Sequence, residues 1–141
     1  MQAKKHLQEI RRLDRKIENK KMELASMYEL AQSVTATIKD FPVSASGDQD
    51  RLGATMAKIV DLQNEISADI ETCADRKMDA IRMIEEIGND EFVNILVRRY
   101  VRYETWTKIA DDLHYSRQAI DRKHGLALLE FQKLLTEVDE S

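Results

Sequence analysis

The sequence contains little that would break a helix or cross-link the chain. Its 141 residues include one proline, four glycines and one cysteine. So few breakers predict long helices and leave little room for a sheet. A single cysteine excludes an internal disulfide and a cysteine-based metal cluster. One thiol fits a reducing cytosol, and we interpret Cys73 as a small buried hydrophobic residue.

Long apolar stretches are also missing. No segment approaches the roughly 20 consecutive apolar residues of a membrane span. The amino terminus runs into a charged amphipathic segment and lacks an apolar signal core. With 43% hydrophobic and 34% charged residues, the chain is too apolar to be disordered. We therefore expect a folded cytoplasmic protein with no membrane partner.

Two segments repeat apolar residues at heptad a and d positions, which lie on one side of a helix. In the first, from Ala3 to Ile38, these residues are Ile10, Leu13, Ile17, Leu24, Met27, Ala31, Val34 and Ile38, with Lys20 as a polar exception. In the second, from about Gln49 to Ile87, they are Met56, Ile59, Ile66, Ile70, Cys73, Ala80, Ile84 and Ile87, with Gln63 and Lys77 as exceptions. A break around Pro42 and Gly47 separates the segments. Matched lengths and a short loop favour an antiparallel, coiled-coil-like hairpin over residues 1–88.

Charge is distributed unevenly along the chain. The formal net charge is -4, which argues mildly against a nucleic-acid partner. Residues 92–124, however, carry seven Lys or Arg against four acidic residues, and residues 1–23 carry eight against four. A local positive surplus is the usual footprint of a nucleic-acid contact. For the amino-terminal segment, Lys4 to Lys21, a solvated helix face is the simpler interpretation, and a second contact with nucleic acid is the alternative.

Three further helices are predicted in a carboxy-terminal domain, residues 89–141. Gly88 suits the position just past a helix end. The expected helices, at residues 91–103, 105–113 and 117–135, would be capped by Asn89 or Asp90, by Thr105 and by Ser116.

The last two of these helices have the pattern of a helix-turn-helix. Ile109 and Ala110 supply the apolar and small pair needed where two helices cross. His114 stands at a turn position where glycine is commoner, and histidine tolerates the left-handed conformation better than most residues. We expect Tyr115 to fill the gap between the helices, and Ile120 to pack on Ile109 and Leu113. Trp106 is expected to anchor the core.

This spacing leaves polar residues on an outer face of the helix that follows the turn. In helix-turn-helix domains the amino-terminal part of that helix, here about residues 117–124, enters the major groove of DNA. Arginine can pair with guanine, and glutamine with adenine. The candidate base-reading residues are Arg117, Gln118, Asp121, Arg122 and Lys123. The candidate phosphate contacts are Thr105, Thr107, Lys108 and Ser116, to which Arg98, Arg99 and Arg102 would add.

The run from Thr105 to Leu129 resembles region 4 of bacterial sigma factors. The whole chain is similar to small proteins of temperate phages of Gram-positive bacteria, described as late-gene transcription regulators of the ArpU type or left uncharacterised. The likeness rests on residues 59–66, 103–110 and 124–128. It implies a phage protein acting on DNA in the bacterial cytoplasm, with a possible contact to RNA polymerase. Lys123 departs from the pattern, because sigma factors usually bury an aliphatic residue there.

The sequence therefore predicts an all-α DNA-binding transcription regulator whose partner is double-stranded DNA, bound by a homodimer. The alternatives are a small terminase-like subunit of DNA packaging and a module that binds only protein, such as RNA polymerase. No catalytic constellation, cofactor motif or small-molecule site is recognisable, so we do not expect an enzyme. His6, His114 and His124 lack the spacing of metal ligands, and His124 is interpreted as a helix-surface residue.

Overall fold

The structure, a computed structural model, describes residues 2–40 and 45–140, and over these ranges it is all-helical without a β-strand. The helices are α1 (Gln2–Asp40), α2 (Ala45–Glu85), α3 (Asp90–Leu96), α4 (Trp106–Leu113) and α5 (Arg117–Glu140). The all-α prediction is confirmed. Gly47 does not break the chain, because it lies inside α2, whereas the predicted break at Pro42 lies outside the described residues.

The third predicted helix is wrong in detail. α3 ends at Leu96, and the five residues Val97–Val101 continue it as a π-helical turn. The Arg102 amide donates to the Val97 carbonyl at 3.0 Å, a bond across five residues where an α-helix spans four. After this turn Tyr103 has a φ of 58°, so the chain leaves the helix in the left-handed region. The predicted end of the fifth helix, residue 135, is also five residues early.

The chain divides into two compact units. One contains Met1–Leu13 and Cys73–Ser141, and the other contains Asp14–Thr72. The division into residues 1–88 and 89–141 stays a prediction. In the second unit, Lys20 Nζ lies 2.6 Å from Asp69 Oδ2, and Gln63 Nε2 donates to the Tyr28 hydroxyl. The residue numbers rise in one segment as they fall in the other, so these two segments run antiparallel.

The heptad stripe of α1 is confirmed, since every apolar a and d residue predicted there is buried or half-buried. Lys20, its polar exception, is held by its ion pair with Asp69, which raises the pKa of the lysine and lowers that of the carboxyl.

In α2 the predicted stripe is partly wrong. Met56 and Ile70 are 45% and 46% exposed. Thr55 and Leu62 are buried instead. After Ile59 and Ile66 the next inward position lies three residues on, at Leu62 and Asp69, and not four residues on. Both spacings suit a helix, so the period alone could not choose between them.

The core of the other unit joins four of its helical segments. The first turns of α1, the last turns of α2, α3 with its π-turn, and α5 contribute buried residues: Ala3, Leu7, Ile10, Ala80, Ile84, Leu96, Tyr100, Ala127, Leu128 and Phe131. The Ala3 amide also donates to Gln132 Oε1 at 2.9 Å. This core fixes the orientation of α5, and with it the side chains discussed next.

Candidate nucleic-acid interface

A second, smaller core lies where α4 and α5 meet α3. It consists of Ile95, Ile109, Ala110 and Ile120, with Trp106 and Leu113 packed against it. Ile95, Ile109 and Ile120 are fully buried. The expected packing of Ile120 with Ile109 and Leu113 is thereby confirmed, and so is the role of Trp106 as an anchor.

α4 and α5 each begin directly after the residue expected to cap it. Thr105 Oγ1 accepts a hydrogen bond from the Lys108 amide at 3.2 Å, and Ser116 Oγ accepts one from the Ala119 amide at 3.1 Å. Such caps satisfy backbone donors that the first turn of a helix leaves unpaired. A hydroxyl group that accepts a bond keeps its own hydrogen for donation, so both caps retain a donor for a ligand oxygen.

The turn between α4 and α5 takes the conformation expected of His114. Its φ and ψ are 60° and 40°, in the left-handed region. The His114 amide donates to the Asp111 carbonyl, and the Tyr115 amide donates to the Ala110 carbonyl at 3.0 Å. This pair of bonds closes the helix end as a Schellman motif. The chain then enters α5 at Arg117, after a three-residue turn.

Tyr115 does not fill the gap between the helices, so that prediction is wrong. Its side chain is exposed, and its hydroxyl donates to Glu91 Oε2 at 2.6 Å. Leu113 and Ile120 already close the apolar interior, and the carboxylate on α3 offers the phenol a strong acceptor.

Lys123 turns towards α3, which settles the rotation of α5. Its Nζ lies 2.6 Å from Glu91 Oε1 and 4.6 Å from the centre of the Tyr115 ring. Only 23% of its side chain is exposed. The carboxylate raises the pKa of Lys123, and the ammonium lowers the pKa of Glu91.

The other candidate base-reading residues lie on the exposed side of α5. Arg117, Gln118, Asp121 and Arg122 are all exposed. Arg117 Nε lies 3.6 Å from Asp121 Oδ1, which is the salt bridge that the four-residue spacing allows. Among the candidate phosphate contacts, Thr107 and Lys108 are exposed, and Lys108 Nζ lies 3.3 Å from Glu104 Oε1.

Trp106 gathers two arginines around its ring. The guanidinium carbon of Arg99 lies 4.7 Å from the ring centre, and that of Arg117 lies 5.3 Å from it. Cations over an aromatic face are attracted by its negative charge distribution. Arg99 also donates to the Glu104 carbonyl at 3.0 Å. Trp106 therefore contacts Arg117, a side chain expected to read a base.

Arg98 is held by two carboxylates, which distinguishes it from Arg99 and Arg102 in the same segment. It donates to both carboxylate oxygens of Glu104, at 2.8 and 2.9 Å, and to Asp112. These bonds lower the pKa of Glu104 to about 2. Because two carboxylates already hold Arg98, we place it in the scaffold that joins the π-turn to α4. Arg102, by contrast, is exposed.

His124 is not a surface residue, which corrects the expectation from sequence. A hydrogen bond of 2.7 Å joins its Nε2 to the Tyr100 hydroxyl, and its ring centre lies 4.4 Å from that of Trp106. Burial lowers its pKa to about 4, and the charge of Lys4 contributes. No local pattern predicts this burial, because Tyr100, Trp106 and His124 come from three separate segments.

Glu91 and Glu104 were missed for the same reason. Each is an acidic residue in a basic region, and each holds cations in place. Their role as counter-charges for Lys123 and Arg98 can be recognised only when the packing of α3 and the π-turn against α4 and α5 is known.

Comparisons with protein-family models, with curated proteins and with solved structures each return no match. No helix among the described residues is long and apolar enough to cross a membrane. Over residues 2–40 and 45–140, no three His, Cys, Asp or Glu side chains are arranged to hold a metal ion.

Proposed function

We propose that the protein is a sequence-specific DNA-binding transcription regulator. In this proposal α4, the turn and α5 form a helix-turn-helix, and residues 117–124 dock in the major groove. The observation that carries it is the turn itself. A left-handed His114, closed by backbone bonds and followed by the Ser116 cap, leads straight into an exposed Arg117 and Gln118.

The chemistry of the exposed face supports this function. Arg117, Gln118 and Arg122 carry donors that can read base edges. Lys108 and the capped starts of both helices offer positive charge and hydrogen-bond donors to phosphates. The ion pair of Lys123 with Glu91 directs that lysine away from this face, so we expect it to support α5 and to contribute little to base reading.

The antiparallel segments of α1 and α2 would act as a coiled-coil-like hairpin. We propose that the hairpin joins two copies into a homodimer or contacts RNA polymerase. A dimer would double the DNA contacts by occupying two half-sites. The resemblance to phage regulators and to sigma region 4 adds the expectation that the protein is phage-encoded and acts on promoters in the bacterial host.

The deciding experiment is selection of bound sequences from random duplex DNA with the intact protein. We expect an enriched motif, and a palindromic one if a symmetric dimer binds. Affinity for the motif should fall steeply with salt, since phosphate neutralisation releases counterions. Enrichment of no motif, together with salt-independent or absent binding, would overturn the proposal in favour of a protein-binding module.

The mass of the protein in solution provides a second test. One or two subunits agree with a regulator. A ring of about eight or more subunits would instead indicate a packaging component of the small-terminase kind, because a closed heterologous interface generates rings.

A further inference from the structure

Two basic side chains of α1 lie beside the face proposed to bind DNA. Lys4 and Arg11 are both exposed. They are seven residues apart, two turns of an α-helix, and therefore project from the same side of α1. Sequence alone favoured a solvated helix face for this segment, because nothing in it indicates what the helix packs against.

The first turns of α1 are held firmly against the carboxy-terminal helices. Leu7 is fully buried and Ile10 is 3% exposed, in one core with Phe131 of α5. The His6 and Phe131 rings lie 5.9 Å apart, and the Ala3 amide donates to Gln132. The two cations are thus presented by a helix that is anchored to α5.

Arg11 extends a run of arginines that ends at the start of α5. Its guanidinium carbon lies 5.6 Å from the centre of the Tyr103 ring. Arg99, four residues before Tyr103, lies over Trp106 together with Arg117. Arg11 and Arg117 are both close enough to contribute to the lowered pKa of Arg99, after its burial. Lys4 follows Ala3, whose amide is bonded to Gln132 of α5, and the charge of Lys4 contributes to the lowered pKa of His124 on the same helix.

Carboxylates neutralise little of this charge. Within the described part of the chain, Lys4, Arg11 and Arg99 form no ion pair, and Arg117 has only the 3.6 Å contact with Asp121. Elsewhere in the same unit cations do have partners, as Arg98 has Glu104 and Lys123 has Glu91. Like charges gathered in one region repel one another, and a polyanion bound across them would reduce that repulsion.

We propose that Lys4 and Arg11, together with Arg99, form a second contact with the DNA backbone, flanking the one made by α5. The inference rests on the proposed function and extends it to a helix outside the predicted carboxy-terminal domain. The DNA backbone next to the bases contacted by Arg117 would then pass over Lys4, Arg11 and Arg99. The hairpin helix would then take part in DNA binding as well as in assembly.

The test is the salt dependence of affinity for a duplex of about 30 base pairs of unrelated sequence, since the slope counts neutralised phosphates at about 0.9 per contact. The double variant Lys4→Gln/Arg11→Gln should bind more weakly, with a slope shallower by about 2. The matched control is Lys5→Gln/Arg12→Gln, which removes the same charge from the same turns. Lys5 and Arg12 project from α1 about 100° away from Lys4 and Arg11, and Arg12 is already paired with Glu9, so the control should retain the wild-type slope.

Two single variants guard against an effect on folding. Arg11→Lys keeps the charge and should keep the slope, whereas Lys4→Gln alone should lower it by about 1. Unfolding temperatures measured alongside show whether each variant is folded. A double variant with the wild-type slope, or a control that loses as much, overturns the inference. Wild-type protein without any salt-dependent binding overturns the proposed function itself.

Discussion

Lys123 Nζ lies 2.6 Å from Glu91 Oε1, and this ion pair fastens α5 to the first turn of α3. Glu91 also accepts a hydrogen bond from the Tyr115 hydroxyl, so one carboxylate contacts both the turn and α5. Lys123 therefore contributes to this part of the fold through a charged contact.

Replacing this lysine should affect stability more than DNA recognition. We expect Lys123→Met to lower the urea midpoint of unfolding only slightly, because a partly screened pair is lost while the aliphatic stem is kept. Urea denaturation measures this, and sequence selection with the variant should return the wild-type motif. A changed motif would mean that Lys123 reads a base after all.

Arg117 and Lys108 should differ in what they contribute to binding. Arg117→Ala is expected to cost about 1–3 kcal/mol on the selected site and to relax the preference at one base pair. Lys108→Ala should weaken all sequences similarly, as the loss of a phosphate contact does. Competition binding against single-base variants of the site separates the two effects. If Arg117→Ala leaves selectivity intact, the docking register proposed here is wrong.

His124 should make the protein less stable in mild acid. Its pKa is about 4 in the folded chain and 6.5 ordinarily, so between these values the unfolded state binds more protons. Stability is therefore fully present above pH 6.5 and falls as the pH drops towards 4, by about 1–2 kcal/mol with allowance for solvent screening.

Urea titrations at several pH values from 7 to 4.5, above most of the Glu104 transition, measure the loss. His124→Phe should flatten the pH dependence in that window. An unchanged slope in His124→Phe would assign the acid sensitivity to another group.

His114→Gly should stabilise the protein. The residue has a φ of 60° with an exposed side chain, and glycine adopts that conformation without the steric cost of a Cβ atom. We expect a gain of about 1 kcal/mol, reduced by the greater freedom of glycine in the unfolded chain. His114→Ala, which keeps the Cβ atom, should not share the gain. Thermal unfolding of both variants provides the comparison, and equal stability would contradict the role assigned to the backbone.

What the sequence predicted well is set by neighbouring residues. The caps at Thr105 and Ser116, the left-handed residue at His114 and the inward side of α1 each depend on groups within one or two helical turns. These features follow from residue type and spacing, so the turn and the starts of α4 and α5 were predictable at the right positions.

What it predicted poorly depends on contacts between distant segments. Met56 and Ile70 have a helical spacing as good as that of Thr55 and Leu62, and the packing partner alone decides which pair is buried. His124 is polar by type and buried by its neighbours Tyr100 and Trp106. The π-turn requires a backbone hydrogen bond across five residues, which the helix propensities of the local residues do not predict. Lys4 lies beside α5 because the first turns of α1 share one hydrophobic core with α5, and the sequence does not show this contact.

The position of Trp106 has an optical consequence. It is the one tryptophan of the sequence, its ring is half-buried, and two guanidinium groups and an imidazole lie against it. Charged groups that near an indole tune the colour and the yield of its emission. A ligand that draws Arg117 away from the ring would therefore change the fluorescence of the unlabelled protein, and a titration followed at this single fluorophore would report binding at the first turn of α5.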